Sequence, residues 1–428
     1  MVFYVPSLNL DSFQRYHSNV INSVFSGRSS MRRRYLADQI DWSELAIMLI
    51  GQRGVGKTTL LVQHAVERYG LAGRFLYLSG DFFQLVDHGL YHVADRFFAE
   101  TAGECLIVDE VHRYPTWKQE LKNILDAFKT KQILISGSSS LHLTEGTDTT
   151  AARRGSTTDL QRRRAVYELR PLSFREYLGF KWSLNFAAVS VDELLNSATT
   201  VAATLVQDLA ERKTTVLKEF EGYLVSGYYP YFLDAPSSYL TRLEQTIETV
   251  ISQDIALVMS LDAAGVAKLK RLFAHIASSK PMTPNINALA RDLGATRDTI
   301  YKYLFYLERA GLVRTLFVDK TKSGHILNRP DKVCVSNPNI LNIAVDARIA
   351  SEFRGAARES FFVGNFNPKD IAAAKDGDFR VDDHVFEIGG PSKTGHQLPK
   401  DSRSFVVKDG IEWPSGKVIP LWMFGFLY

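Results

Sequence analysis

Eight consecutive residues, Gly51-Gln52-Arg53-Gly54-Val55-Gly56-Lys57-Thr58, satisfy the spacing G-x-x-x-x-G-K-[ST] without exception. Each residue type in that run answers a demand made by a polyphosphate. The glycines let the backbone curl so that its N–H groups face β- and γ-phosphates. Lys57 reaches the same phosphates, and the Thr58 hydroxyl can ligate Mg²⁺. A helix beginning there points its positive end at the anion, and Thr59 is the next residue on it. Roughly 50 residues later the apolar run Leu106-Ile107-Val108 ends in Asp109-Glu110. Asp109 would hold Mg²⁺, directly or through water. Glu110 would orient and deprotonate an attacking water. ATP and Mg²⁺ are therefore the expected substrate and cofactor.

Further polar residues lie close in sequence. Ser138 closes an apolar run and would either sense the γ-phosphate or, with Ser139 and Ser140, cap a helix. Arg153, Arg154, Arg162, Arg163 and Arg164 crowd one biased segment. One of them could stabilise charge on a transferring phosphoryl group, from the same subunit or a neighbour's. Arg163 or Arg164 is the choice, because both stand just before an apolar run. The plainer alternative is a solvated basic loop or a nucleic-acid contact. His112 follows the acidic pair and reads as a surface histidine, or as a link between nucleotide state and the helix behind it.

These groups need elements to hold them. Leu45–Ile50 is a short apolar run, as for a strand buried on both faces. Lys57–Tyr69 follows as a helix stopped by Gly70. Arg74–Ser79, Cys105–Val108, Ile133–Ile135 and Ala165–Leu169 read as further strands, and Trp117–Phe128 as an amphipathic helix. Such alternation predicts an α/β fold, a parallel sheet with helices on both faces. Thr144–Arg164, rich in Thr, Gly and Arg, reads as a loop.

Ser173–Lys280 turns mostly helical, and Pro284–Val318 contains a helix-turn-helix with Gly294 at the turn. Leu312–Val318 and Lys332–Val335 would pair as a wing. The last stretch mixes helix and strand, with candidate strands Phe379–Val381, Val385–Ile388, Ser404–Val407 and Ile419–Phe424.

Composition excludes several classes. With 428 residues, 45% hydrophobic and 23% charged, the chain has an ordinary globular balance and room for two to four domains. No apolar run approaches the ~20 residues of a membrane helix, and the start lacks a secretory pattern. Only Cys105 and Cys334 occur, so a disulfide framework is not expected and the expected compartment is cytoplasmic. A net charge of +4 over this length does not announce a nucleic-acid partner.

The phosphate loop, Asp109-Glu110 and Ser136-Gly137-Ser138-Ser139-Ser140 resemble a large family of prokaryotic ATPases of the AAA-like P-loop class. So do Pro171-Leu172-Ser173-Phe174-Arg175-Glu176-Tyr177-Leu178, Gly227-Tyr228-Tyr229-Pro230, Phe386-Glu387-Ile388-Gly389-Gly390 and Ile419-Pro420-Leu421-Trp422. The likeness runs from about Ile40 to the C-terminus. It implies ATP binding and hydrolysis, then a winged helix and an endonuclease-like terminal fold. Members of that family carry Gly-Arg before the last core strand, where this chain has Gln161-Arg162-Arg163-Arg164.

Taken with the resemblance, the expected partition is a helical extension over 1–40, an ATPase core over 41–180, helices over 181–280, a winged helix over 281–335 and a PD-(D/E)XK-like α/β domain over 336–428. Nuclease chemistry of that type needs two acidic residues and a lysine around a metal. Glu359, Asp378 and Glu387 are the candidate carboxylates. Gly389 stands at the lysine position, and Lys393 could reach in from the next loop. On the second helix of the helix-turn-helix, Arg297, Lys302 and Arg309 oppose Asp298 and Glu308, a thin basic face. Lys320, Lys322, His325, Arg329 and Lys332 would add charge on the wing. The leading expectation is a Mg-dependent ATPase whose nucleotide state acts on C-terminal domains that bind DNA or a protein partner, with no membrane partner and with oligomers open. An ATP-gated switch with negligible turnover and an ATP-regulated nuclease are the rivals.

Overall fold

A computed structural model describes residues 10–27, 29, 32–71, 73–138, 164–344, 350–399 and 403–428. The chain divides into two compact units, residues 1–170 and 171–428.

The first unit is built on strands β1 (Ala46–Gly51), β2 (Phe75–Ser79), β3 (Cys105–Asp109), β4 (Gln132–Ser138) and β5 (Ala165–Glu168). They form one parallel sheet in the order β2-β3-β4-β1-β5. The first four are buried along their whole length, which is why their sequences read as continuous apolar runs. Helices α1 (Leu10–Ser26), α2 (Lys57–Tyr69), α3 (Phe83–His88), α4 (Leu90–Glu100) and α5 (Trp117–Ala127) complete the unit. Met48, Ile50, Leu76, Leu78, Leu106, Val108, Ile133 and Ile135 form one sheet face of a core with Phe13 of α1, Val93 and Phe97 of α4, and Leu121 and Ile124 of α5. Parallel pairing brings the carboxyl ends of β1, β3 and β4 side by side, with Gly51 opposite Ser138 and Ser79 opposite Asp109.

The second unit opens with α6 (Phe174–Trp182). Ser173 caps it by accepting the Glu176 N–H at 3.2 Å, while the Glu176 carboxylate accepts the Ser173 N–H at 3.4 Å. Arg175 donates to the Tyr428 carbonyl at 2.9 Å, so the segment Pro171–Leu178 anchors the end of the chain. Helices α7 (Val191–Glu211), α8 (Val216–Ser226) and α9 (Tyr239–Thr249) follow, and α9 runs through a π-helical stretch, Val250–Ile255, into α10 (Ala256–Met259). After α11 (Ala263–Ala277) come α12 (Ile286–Asp292) and α13 (Arg297–Arg309), joined through Gly294 at φ +56°. Ile300, Tyr303, Leu304 and Leu307 are buried, the face that periodicity indicates. β6 (Val313–Leu316) and β7 (Lys332–Val335) pair antiparallel.

Two more helices, α14 (Pro338–Ala344) and α15 (Ala350–Gly364), lead to a mixed sheet. Its strands are β8 (Ile371–Ala373), β9 (Phe379–Val381), β10 (His384–Gly389), β11 (Ser404–Lys408) and β12 (Val418–Pro420), in the order β12-β11-β10-β9-β8. The strand expected over Ile419–Phe424 stops at Pro420, and Leu421–Phe426 is a 3₁₀ turn. Proline has no N–H to carry the ladder on. The apolar run reflects burial instead, since Leu421, Trp422, Met423, Phe424 and Phe426 all lie in the core. No helix among the described residues is long and apolar enough to cross a membrane.

Candidate functional site

The loop from Gly51 to Gly56 joins a buried strand to the first turn of α2. Its shape depends on missing side chains. A Cβ at Gly51 would meet the Leu169 carbonyl oxygen at 2.3 Å. Gly56 has φ +98° as the residue before the helix, a conformation that costs other residues strain. Val55 is buried below the loop, and its carbonyl accepts a hydrogen bond from the buried guanidinium of Arg34. Arg34 also donates to the Arg170 carbonyl at 2.7 Å, so it ties the loop to the residues just past β5. Nothing in the run Arg32-Arg33-Arg34 signals that role, because the contact links positions 21 residues apart.

Lys57 is buried, and its ammonium donates to the loop's own carbonyls, Gly51 at 2.9 Å and Gln52 at 3.0 Å. The same nitrogen lies 3.8 Å from Glu110 Oε1. Thr58 Oγ1 donates to Asp109 Oδ2 at 2.6 Å. That oxygen also accepts from the Tyr77 hydroxyl at 2.6 Å, while Ser136 Oγ donates to Asp109 Oδ1. Asp109 is thus held on three sides by residues of α2, β2 and β4. Ser136 in turn accepts the Glu110 N–H at 3.1 Å. Burial first, then the neighbouring Asp109 carboxylate, pushes the Tyr77 phenol far above its ordinary range, so it stays a donor.

Glu110 lies just past β3 with φ +47°, a left-handed backbone rare for a residue bearing a side chain. The end of β2 presses on it: a Cβ at Gly80 would meet the Glu110 carbonyl oxygen at 2.5 Å. Its carboxylate sits between Lys57 and His112, whose Nε2 is 3.6 Å from Glu110 Oε2. His112 thus adjoins the acidic pair.

Of the residues expected at this site, Gly51–Thr59, Asp109 and Glu110 are gathered at the carboxyl end of the sheet. Ser138 is buried at the end of β4, paired in register with Gly51. Arg164 is buried just before β5. Arg163, Arg162, Arg153, Arg154, Ser139 and Ser140 lie outside the described residues. Sequence reasoning missed Tyr77, Ser136 and Arg34. Tyr77 carried one usable signal: it sits two residues from the end of a strand bordering β3, on the face that Ser79 shares with Asp109. The donors offered by Thr58 and Asp109 are hard oxygens, the set that suits Mg²⁺.

The C-terminal carboxylates are arranged otherwise. Lys332 Nζ is 2.8 Å from Glu359 and 3.5 Å from Asp378, and Lys393 Nζ is 2.8 Å from the buried Glu387. Asp378 Oδ2 also accepts the Ile388 N–H at 2.8 Å. Burial would lower the Lys332 ammonium, yet Glu359 and Asp378 together hold it above its ordinary range. Lys332, expected to add charge to a wing, is therefore engaged within the unit. The Lys393 methylenes lie where a Cβ on Gly389 would be, at 2.6–2.7 Å. Among the described residues no group of three or more His, Cys, Asp or Glu side chains is arranged to hold a metal ion.

A model of the AAA domain matches residues 43–178, and a model of a domain of unknown function matches residues 217–347. The uncharacterized protein MJ1637 of Methanocaldococcus jannaschii is 27% identical over 285 residues, 63% of this chain and 56% of that protein. The chain thus spans little more than half the length of that relative. Among solved structures, AMPPCP-bound DnaA from Aquifex aeolicus aligns at 15% identity over 72% of this chain and 92% of that one, with a TM-score of 0.25. The Hsp104–ADP complex of S. cerevisiae aligns at 13% identity over 72% and 41%, with a TM-score of 0.26. The part of the N-terminal unit that the AAA-domain model matches is the five-stranded parallel sheet with its flanking helices, a P-loop NTPase fold.

Proposed function

We propose that the chain binds and hydrolyses Mg-ATP and that nucleotide state acts on its C-terminal region. The observation that supports this best is the convergence of Lys57, Thr58, Asp109 and Glu110, with Thr58 on Asp109 at 2.6 Å and Lys57 3.8 Å from Glu110. In this reading the loop amides of Gly51–Thr59 and the amino end of α2 receive the phosphates. Lys57 leaves the carbonyls of Gly51 and Gln52 for the β- and γ-phosphate oxygens. Thr58 and Asp109 would hold the cation, which when bound would offset the charge of the phosphates. Glu110 accepts a proton from the attacking water, and Ser138 meets the γ-phosphate. Arg164, or Arg163 beside it, would supply charge to the transferring group.

The deciding experiment is steady-state Mg-ATP hydrolysis across protein concentrations, with and without single- and double-stranded DNA. Turnover in any of these conditions supports the reading. Tight ATP binding with negligible turnover throughout replaces it with a nucleotide-gated switch.

A second element of the reading concerns a partner. On α13, Arg297, Lys302 and Arg309 are exposed, whereas the Glu308 carboxylate turns inward to accept the Thr315 N–H at 2.8 Å. That leaves Asp298 as the exposed acidic group among these bases, a more basic helix surface than the sequence count suggests. We propose that this helix contacts DNA. Salt-dependent binding of duplex DNA, weakened by Arg297→Ala and Lys302→Ala, tests it; equal binding by wild type and variants would turn attention to a protein partner.

A further inference from the structure

Tyr77 belongs to β2, an edge strand of the sheet. Ser79 is the residue in register with Asp109, and Tyr77 lies two positions earlier on the same face. A diagonal neighbour across parallel strands is too far for a short side chain, but a phenol spans it. Its hydroxyl reaches Asp109 Oδ2 at 2.6 Å.

Helix α1 holds Tyr77 in two ways. His17 Nδ1 accepts the Tyr77 N–H at 3.1 Å, on the side of β2 where no strand pairs among the described residues. The Tyr16 ring lies 6.0 Å from the Tyr77 ring and stacks on Phe82 at 4.2 Å and 12°. His17 also meets Phe75 edge-on at 4.8 Å. One helix therefore sets both the backbone and the ring of the residue that touches Asp109.

We propose that Tyr77 is a positioning residue for the cation site and that α1, through His17 and Tyr16, fixes Tyr77. The proposal rests on the nucleotide-site reading given above. A carboxylate has about four acceptor sites. Thr58, Tyr77 and Ser136 engage three of them, which fixes the carboxylate plane and the direction of what remains. Without the phenol hydroxyl, Asp109 keeps its charge and its other two partners but gains freedom to rotate. Support of this kind for a metal-holding carboxylate tunes cation affinity and leaves phosphate binding alone.

The test compares the full-length wild type with Tyr77→Phe. ATP affinity is measured by calorimetry in excess EDTA, and Mn²⁺ affinity of the ATP complex by electron paramagnetic resonance. The expected result is unchanged ATP affinity in EDTA and Mn²⁺ affinity about tenfold weaker in Tyr77→Phe. His17→Phe, which removes the acceptor for the Tyr77 N–H, should shift Mn²⁺ affinity the same way by a smaller factor. Mn²⁺ affinity equal to wild type in Tyr77→Phe would overturn the role of Tyr77, and equality in His17→Phe would overturn that of α1. Loss of ATP affinity in EDTA by Tyr77→Phe would mean a general distortion and also overturn it. Wild-type protein that binds no ATP would remove the nucleotide reading itself, a signature distinct from each of these.

Discussion

Thr58 Oγ1 donates to Asp109 Oδ2 at 2.6 Å, joining the first turn of α2 to the end of β3 across 51 positions of sequence. The contact exists because β4 lies between β1 and β3, which sets the loop and the acidic pair one strand apart at the carboxyl end of the sheet. A hydroxyl that donates to a carboxylate keeps its lone pairs for a cation. In the proposed reading the pair would share a metal.

Thr58→Ala should separate the cation from the phosphates. Lys57 and the loop amides survive that change, so ATP affinity in EDTA should stay within a few fold of wild type. The gain in affinity on adding Mg²⁺ should largely vanish. Lys57→Ala should weaken ATP binding in both conditions, since the buried ammonium would face the phosphates whether or not metal is present. Calorimetric titrations with and without Mg²⁺ check both, and equal behaviour of the two variants would count against the division of labour.

Glu110→Gln should leave binding intact and lower turnover. The amide keeps the shape but cannot take a proton, and general-base contributions are about 10²–10⁴-fold. Lys57 3.8 Å away loses a counter-charge, so ATP affinity should hold or rise. Single-turnover hydrolysis beside binding titrations gives the answer; a variant as fast as wild type would remove Glu110 from the chemistry.

What could be read from sequence was local. Gly51–Thr58 and Leu106–Glu110 each carry their meaning within one strand and its following turn, and the strands were legible because burial on both faces leaves an unbroken apolar run. Residues that support them were not legible. Arg34 on Val55, Ser136 on Asp109 and His17 on Tyr77 are contacts between distant segments, and no spacing rule encodes such pairs. Lys332 shows the opposite failure: a lysine on a hairpin reads as surface charge, yet Glu359 and Asp378 engage it. The apolar run at Leu421–Phe426 reads equally well as strand or buried turn, and Pro420 decides for the turn.

His64 should make stability fall in mild acid. Burial, with Arg68 and Arg33 adding, lowers its pKa to about 4, and its ring stacks on Trp42 at 3.7 Å and 9°. An unfolded chain takes up that proton near pH 6.5, so the contribution is complete above that pH and is lost as pH falls toward 4. Between pH 7.5 and pH 5 the linkage amounts to about 2 kcal/mol. Urea unfolding at both pH values should show wild type losing that much more than His64→Phe, which keeps the stacking and does not titrate. Equal losses would show that His64 is not held neutral.

Lys393 should matter for folding rather than for cleavage. Its ammonium sits 2.8 Å from Glu387, whose side chain is 3% exposed, and its methylenes fill the space over Gly389. Removing the lysine strands a buried carboxylate, which costs about 3 kcal/mol in settings of this kind. Glu387→Gln, which removes the charge and keeps the shape, should cost less. The double variant should be more stable than the sum of the two single losses predicts, because the stranded charge is gone. Urea unfolding of wild type, Lys393→Ala, Glu387→Gln and the pair completes the cycle. Additive losses would mean that the two groups do not depend on each other. Metal-dependent DNA cleavage by wild type that Glu387→Gln abolishes without loss of stability would give the pair a catalytic role instead.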